Sequence, residues 1–594
     1  MRTRPGNAAV LAIAVLILSA GAPAVPAATG AVPQEQQQNP ETRAGGGERV
    51  ANENGQELPV VQRPSYAPTD LTATALQRFA APASPGLATG LAGVAQALAT
   101  GGSGAAALYA RQHGIDWRAG AVRVRVDTGL ARRGVSVREA SSRALVEQVL
   151  ADLSARGGRA ERVFGPYIEA WMPVEELAGL ALQPAVRGID RPWKMRADVT
   201  SEGVAVIGGD VWQNVRFRSP TDGLNVGVID LSFTGYESLR GSELPPQDRL
   251  ITRSFREDGD MEAGDEHGAA VAEIVYDLQQ EGTMYLVAVE TLGDINEAIS
   301  YLIDNSVDVI NMSLGCVGCA PGDGRGAAIE VVERAPQAGI PFVTSAGNEA
   351  DRHWIGTFSD PDNDGFNNFA PGDETESFSG DAGDEVSIAM NWDFANWFAS
   401  SEDLDLILLD SQGRIVDQSR NRQAGFSGQE AVEEIFITLP FSGTFHVVVE
   451  NIQTSAPQEF ELFVEANGLE YVVAEQSLSV PADGNQVVAV GATRWSNDIP
   501  EVFSSQGPTK DGRTKPNLTA PDGVSTASFG PMNFFGTSAA SPHVVGAVAM
   551  LRGRLGLVSG NDALEVIYPR LVDLPPVGPD NVTGAGRLSI IPPG

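Results

Sequence analysis

Residues 544–551, Val-Val-Gly-Ala-Val-Ala-Met-Leu, contain no polar side chain. A helix made from them has no face to offer water, so it reads as a helix buried on all sides. Immediately before it stand Gly536-Thr537-Ser538-Ala539-Ala540-Ser541-Pro542-His543. A serine at the start of such a helix lies beside free backbone N–H groups and a partial positive charge, which would stabilise an oxyanion forming next to its side chain. An ordinary Ser/Thr cap on a packed helix fits this local pattern equally well, and the rest of the chain must decide.

The layers that could cover the helix are legible upstream. From about residue 199 strands and helices alternate: strand 226–229 ending at Asp230, helix 268–278, strand 284–289, helix 295–303, strand 307–312, helix 327–335, and strand 340–345 running into Ala346-Gly347-Asn348. Repeated βα units imply an α/β fold with a parallel sheet, helices on both faces, and function at the carboxyl ends of the strands. Asp230 and Asn348 fall at such ends. Between 351 and 476 the alternation stops. Short strands at 385–390, 404–409, 435–439, 444–450 and 460–465, with turns at Asp410-Ser411-Gln412-Gly413 and Phe441-Ser442-Gly443, predict an inserted antiparallel β-sandwich. The parallel pattern resumes at 486–490.

The N-terminal third reads differently. Arg2 and Arg4, an apolar run over 8–20 and Ala22-Pro23-Ala24 have the three parts of a secretory signal peptide, residues 1–27. The run is short for a bilayer span, so the expectation is export without a membrane anchor in the mature form. Residues 28–116, rich in Gln, Gly, Pro and Ala, read as a low-complexity linker with room for one Ala-rich helix. Residues 117–198 follow the order βαββαβ of a split βαβ, ferredoxin-like α+β domain.

At 594 residues the chain is too long for one core, and its net charge of −35 argues against nucleic acid or an anionic membrane as partner. Its two cysteines, Cys316 and Cys319, exclude a disulfide-built scaffold. A small local bridge between them and two free thiols both remain open, and neither carries a catalytic role. Asp360, Asp362 and Asp364 in Asp360-Pro361-Asp362-Asn363-Asp364-Gly365 alternate like the oxygen ligands of a calcium loop. The twelfth position is Pro371 rather than glutamate, so a solvated acidic turn is the alternative to a structural Ca2+ site.

A serine hydroxyl needs a base, and the base needs a carboxylate to fix its tautomer. The chain has five histidines. His113 lies in the linker, His446 within an insert strand and His353 at the insert boundary. His543, five residues past Ser538, reads as packing. His267 remains, in Asp265-Glu266-His267-Gly268-Ala269-Ala270-Val271-Ala272, where small residues let a helix start tightly against its neighbours.

These pieces, with Ile310-Asn311-Met312-Ser313-Leu314-Gly315, Ser345-Ala346-Gly347-Asn348, Phe503-Ser504-Ser505-Gln506-Gly507-Pro508 and Lys515-Pro516-Asn517-Leu518-Thr519-Ala520-Pro521, resemble the subtilisin-like serine proteases, or subtilases, in that family's order Asp, His, Asn, Ser. The resemblance covers 199–350 and 477–594. It implies a secreted serine endopeptidase with Ser538 as nucleophile, His267 as general acid/base, Asp230 orienting it, and Asn348 as oxyanion donor beside the Ser538 N–H. Ser313, Leu314 and Gly315, and Ser345, Ala346 and Gly347, would flank the primary specificity pocket and pair with an extended polypeptide substrate.

The resemblance further implies that 117–198 is a propeptide, an intramolecular chaperone and inhibitor removed by self-cleavage between Arg191 and Gly203. Through Leu404-Asp405-Leu406 and Gly443-Thr444-Phe445-His446-Val447 the insert, 351–476, resembles a pre-peptidase C-terminal type of sandwich, with substrate or surface binding and a passive spacer as its two readings. The chemistry needs no cofactor. Three departures stand out: Leu231-Ser232-Phe233 after Asp230, where the family has Ser or Thr and then Gly; Ala269 for a frequent threonine; and Asp522 interrupting Ala-Pro-Gly. A catalytically silent, subtilase-like binding protein is the competing class.

Overall fold

The computed structural model describes residues 86–112, 115–128, 140–192, 196–197, 203–213 and 224–592. The signal-peptide reading, His113, the first part of the linker reading and most of the 191–203 stretch lie outside the described residues.

Seven parallel strands form the central sheet, in the order Leu518–Asp522, Val488–Arg494, Phe342–Ser345, Val309–Met312, Asn225–Asp230, Thr283–Ala288 and Leu250–Ser254. Both faces are covered, which is why these strands are apolar rather than alternating. Val226, Val228 and Val309 point to one side, toward helices His267–Leu278 and Thr537–Leu555. Ile229, Ile310 and Met312 point to the other, toward Leu292–Asp304 and Ala327–Val332. The serine-bearing helix is buried from Thr537 through Leu551, as its lack of a polar face requires.

Residues 353–464 hold two four-stranded antiparallel sheets. One runs His353–Thr357, Glu459–Val464, Glu385–Trp392, Val432–Thr438; the other runs Glu376–Gly380, Gly443–Gln453, Asp403–Asp410, Ile415–Ser419. Phe378, Trp392, Leu406, Phe445 and Phe460 fill the space between them. Three of the eight strands escape the periodicity reading. His353–Thr357, Glu376–Gly380 and Ile415–Ser419 are sheet-edge strands with few β-branched residues, so tertiary pairing decides them.

In the N-terminal domain, strands Gly188–Asp190, Ala121–Asp127, Tyr167–Pro173 and Arg159–Phe164 pair antiparallel in that order. Helix Ala140–Ala155 and the short turn of helix Leu177–Ala181 complete the βαββαβ order. The Ala-rich helix for which the linker reading leaves room lies next upstream. Thr89–Gln112 is helical with a break at Gly102 (φ 73°), and Leu91, Val94, Ala106 and Ala110 are buried in this domain's core. A Cβ on Gly93 would lie 2.1 Å from the Tyr109 hydroxyl oxygen, whereas one straight helix at about 1.5 Å per residue would hold those residues about 24 Å apart. The chain therefore folds back at Gly102 as a helical hairpin. Gly90–Ala110 has the length and apolarity of a membrane span, alone among the helices of the described residues, but the hairpin halves that length. Alanine and glycine, which make the stretch look like a linker by composition, are what let the two halves approach.

Candidate active site

Asp230 ends its strand fully buried. Its oxygens lie 3.0 and 2.9 Å from His267 Nδ1, and Oδ1 also accepts the Leu231 N–H at 2.8 Å. Burial pushes the carboxyl above its ordinary range and the nearby imidazole opposes that shift. The backbone of Leu231 thus supplies a hydrogen bond despite the unusual residues after Asp230. His267 is the first residue of its helix, with its N–H held by Asp265 at 3.2 Å. Gly268 follows because nothing larger fits: a Cβ there would meet Ser232 O at 2.4 Å and Asp230 Cβ at 2.6 Å.

Ser538 is the second residue of Thr537–Leu555. Its hydroxyl donates to Ser313 O at 3.2 Å. Ser313 is buried beneath it, accepting from Asn311 Nδ2 at 2.9 Å and donating to the Ser538 carbonyl at 2.8 Å, with Ser541 Oγ at 2.9 Å. This hydroxyl pins the helix start to the sheet. Gly536, at φ 134°, turns the chain into the helix and donates its N–H to Asp522 at 3.0 Å. Asn348 Oδ1 accepts from Thr537 N at 2.9 Å and from Thr537 Oγ1 at 3.0 Å. Fixing the amide oxygen this way leaves Nδ2 as the donor end of the side chain.

The two expected substrate-pairing segments differ. Leu314–Gly315 is a strand paired antiparallel with Arg196–Ala197, Leu314 opposite Ala197 and Gly315 opposite Arg196. In the other segment, Ala346 N–H and C=O bond to Val490 and Ser479, and Gly347 bonds to Thr537 and Ser505. Its backbone is taken up within the fold. Cys316 and Cys319, just past the first segment, are disulfide-bonded.

His543 is buried, bonded through Nδ1 to Ala539 O at 2.6 Å, and burial lowers it to about 4; it packs, as expected. Asp360, Asp362 and Asp364 bring carboxylate oxygens within 4.8 Å of one another. Burial and then its two acidic neighbours raise Asp364, although the Phe366 N–H opposes them. Three hard, converging oxygens suit a calcium ion, which neutralises that repulsion, but both Asp360 oxygens already accept backbone N–H groups from Asp364 and Gly365.

Thr537, Asn311 and Ser541 are supports that the sequence reading misses, because polarity alone does not say which hydroxyl meets which partner. Asp522 was visible only as the residue interrupting Ala-Pro-Gly.

The subtilase family model matches residues 226–372 and 407–586, more than half of the chain. The chain belongs to the subtilase family and is thereby a serine-type endopeptidase. Among solved structures it is similar to the CspB protease of Clostridium perfringens, with 17% identity over 64% of this chain and 95% of that one and a TM-score of 0.47. It is also similar to EpiP, the epidermin leader peptide processing serine protease of Staphylococcus aureus, with 13% identity over 79% and 98% and a TM-score of 0.42.

Proposed function

We propose that this chain is an exported endopeptidase in which Ser538 attacks the scissile carbonyl, His267 takes and returns the proton, and Asp230 orients and stabilises the imidazolium. The observation that carries this reading is the buried His267–Asp230 pair at 2.9 Å, at the same sheet edge as a serine on a helix N-terminus. Ser538 Oγ bonds to Ser313 O, so reaction begins with its rotation toward His267. Asn348 Nδ2 and the Ser538 N–H would then receive the oxyanion, a contribution of about 100-fold or more per donor.

Residues 117–198 act in this reading as a propeptide. The antiparallel pairing of Arg196–Ala197 with Leu314–Gly315 supports it, because that is the backbone arrangement an extended substrate strand would adopt. Cleavage within 191–203 severs its covalent link to the peptidase, and residues 1–27 direct export. Turnover of an unbiased peptide library should appear with the wild type and vanish with Ser538→Ala. Equal turnover by both would overturn the assignment.

Asp360, Asp362 and Asp364 hold a structural Ca2+ that takes no part in the chemistry. Adding EGTA should lower the melting temperature of the wild type and leave Asp362→Asn unchanged. Identical EGTA effects on the two would remove the site.

A further inference from the structure

The inserted sandwich touches the N-terminal domain as well as the peptidase body. Arg125, on the central strand of the N-terminal sheet, is buried and lies 3.5 Å from Glu430 of the insert and 4.0 Å from Asp190 of its own domain. Arg191 lies 3.7 Å from Glu434. Arginines of the N-terminal domain face glutamates of the insert, although burial first, and then Asp127, Asp190 and Glu434, raise the Glu430 carboxyl to about 7 against the pull of Arg125. Backbone shape matches too. Gly428 stands at φ +88°, and a Cβ on it would fall 2.6 Å from Arg187 Cβ and 2.9 Å from Asp127 Oδ2. The helical hairpin Thr89–Gln112 rests on strands Ile415–Ser419 and Val432–Thr438 of the same sandwich.

A second seat lies on the peptidase body. Glu169 of the N-terminal domain accepts from Thr291 Oγ1 at 2.9 Å and from the Gly293 N–H at 3.3 Å, at the start of helix Leu292–Asp304, and Arg162 pairs with Asp294. The sandwich also reaches the strand that Arg196–Ala197 pairs with. The Cys316–Cys319 loop packs against it so closely that a Cβ on Gly318 would lie 2.8 Å from Ala389 Cβ and 3.3 Å from Glu434 Oε1. Glu434 therefore stands between that loop and Arg191, and one insert side chain meets the chain on both sides of the Leu314–Gly315 and Arg196–Ala197 pair.

We propose that the inserted sandwich is a retention surface for the N-terminal domain, which it holds through Arg125–Glu430 and Arg191–Glu434 in the intact chain and, on the peptidase reading above, after the 191–203 stretch is cut. The insert is then neither a spacer nor a substrate-binding module but one half of a cradle whose other half is the peptidase body. Two seats on separate domains act as a bivalent grip, so the cut domain leaves more slowly than either seat alone would allow.

The test uses the full chain carrying Ser538→Ala, so that no cut is needed. Amide hydrogen exchange of 121–127 and 188–190 should speed up at least tenfold when Glu430→Arg is added and less when Glu430→Gln is added. Exchange of 309–312 in the central sheet and 443–453 in the insert should not change. If Glu430→Arg also loosens 443–453, Glu430→Gln decides alone. Unchanged exchange of 121–127 in Glu430→Gln and Glu430→Arg overturns the proposal. Native mass spectrometry of the active chain adds the second arm: the cut N-terminal fragment should stay with the wild type and be lost from Glu430→Arg, and equal retention counts against the proposal. A wild type that is never cut would defeat the peptidase reading, while the exchange result would still judge the interface.

Discussion

Asp522 shows how much a single side chain can carry without belonging to any motif. It is fully buried, accepts the Gly536 N–H that precedes Thr537 and Ser538, and neighbours Glu501, which Arg494 grips at 2.8 and 3.1 Å. Burial first, and then the Glu501 carboxylate, raise the Asp522 carboxyl to about 8, with the Gly536 N–H and Arg494 opposing. The folded chain therefore holds a proton that the unfolded chain releases near the ordinary aspartate value of about 4. Stability is lost as pH rises from about 4 to about 8 and no further above that. Asp522→Asn keeps an acceptor for Gly536 without the ionisation cost. Unfolding free energies from urea denaturation of the two proteins should agree near pH 4 and diverge toward pH 8 in favour of Asp522→Asn, by on the order of a few kcal/mol. Parallel curves would show that Asp522 does not titrate this way. At this scale the pairing of His267 with Asp230 and the place of Ser538 at a helix start were legible from motif order, although the residues after Asp230 depart from the family pattern. Thr537 and Ser541 were not, since their work depends on partners nearly two hundred residues or more away in sequence.

The elements were legible where burial imposes a period and illegible where it does not. The apolar strands of the central sheet and the helix after Ser538 follow from hydrophobicity alone. For Thr89–Gln112 alanine content leaves room for a helix but does not show its packing, because its core contacts come from a fold-back at one glycine. Strand Leu250–Ser254 was also missed; it is an outer strand of the sheet with a mixed pattern of buried and exposed residues. The join between insert and peptidase body is similarly hidden. Lys510 Nζ lies 2.7 Å from Glu461 Oε2, and both side chains are buried. Burial alone would raise Glu461, but Lys510 and His353 outweigh it and hold it at about 2. Its stabilising contribution is complete above the ordinary glutamate range and is lost as pH falls toward about 2. Lys510→Met strands a buried carboxylate and should lower unfolding free energy by about 3–5 kcal/mol, with much of that recovered in Lys510→Met/Glu461→Gln. Chemical denaturation at pH 7 measures both. A loss under about 1 kcal/mol would mean that water reaches the pair.

For the whole molecule, a parallel sheet explains how distant parts of the chain reach one edge: Asp230 ends the strand that pairs with Val309–Met312, and Ser313, next after that strand, bonds to Ser538 at the start of its helix. That architecture and the inserted sandwich followed from the change of periodicity near residues 351 and 476. What the insert touches did not, because interfaces between domains are built from scattered charges such as Arg125 and Glu430 that carry no period. The central claim is that Ser538 is a nucleophile activated by His267. A fluorophosphonate probe, followed by peptide mapping of the adduct, tests it most directly. One adduct per processed chain is expected, on Ser538, lost in Ser538→Ala and reduced at least 100-fold in rate in His267→Ala. An unlabelled processed wild type, or an adduct on any other residue, would contradict it.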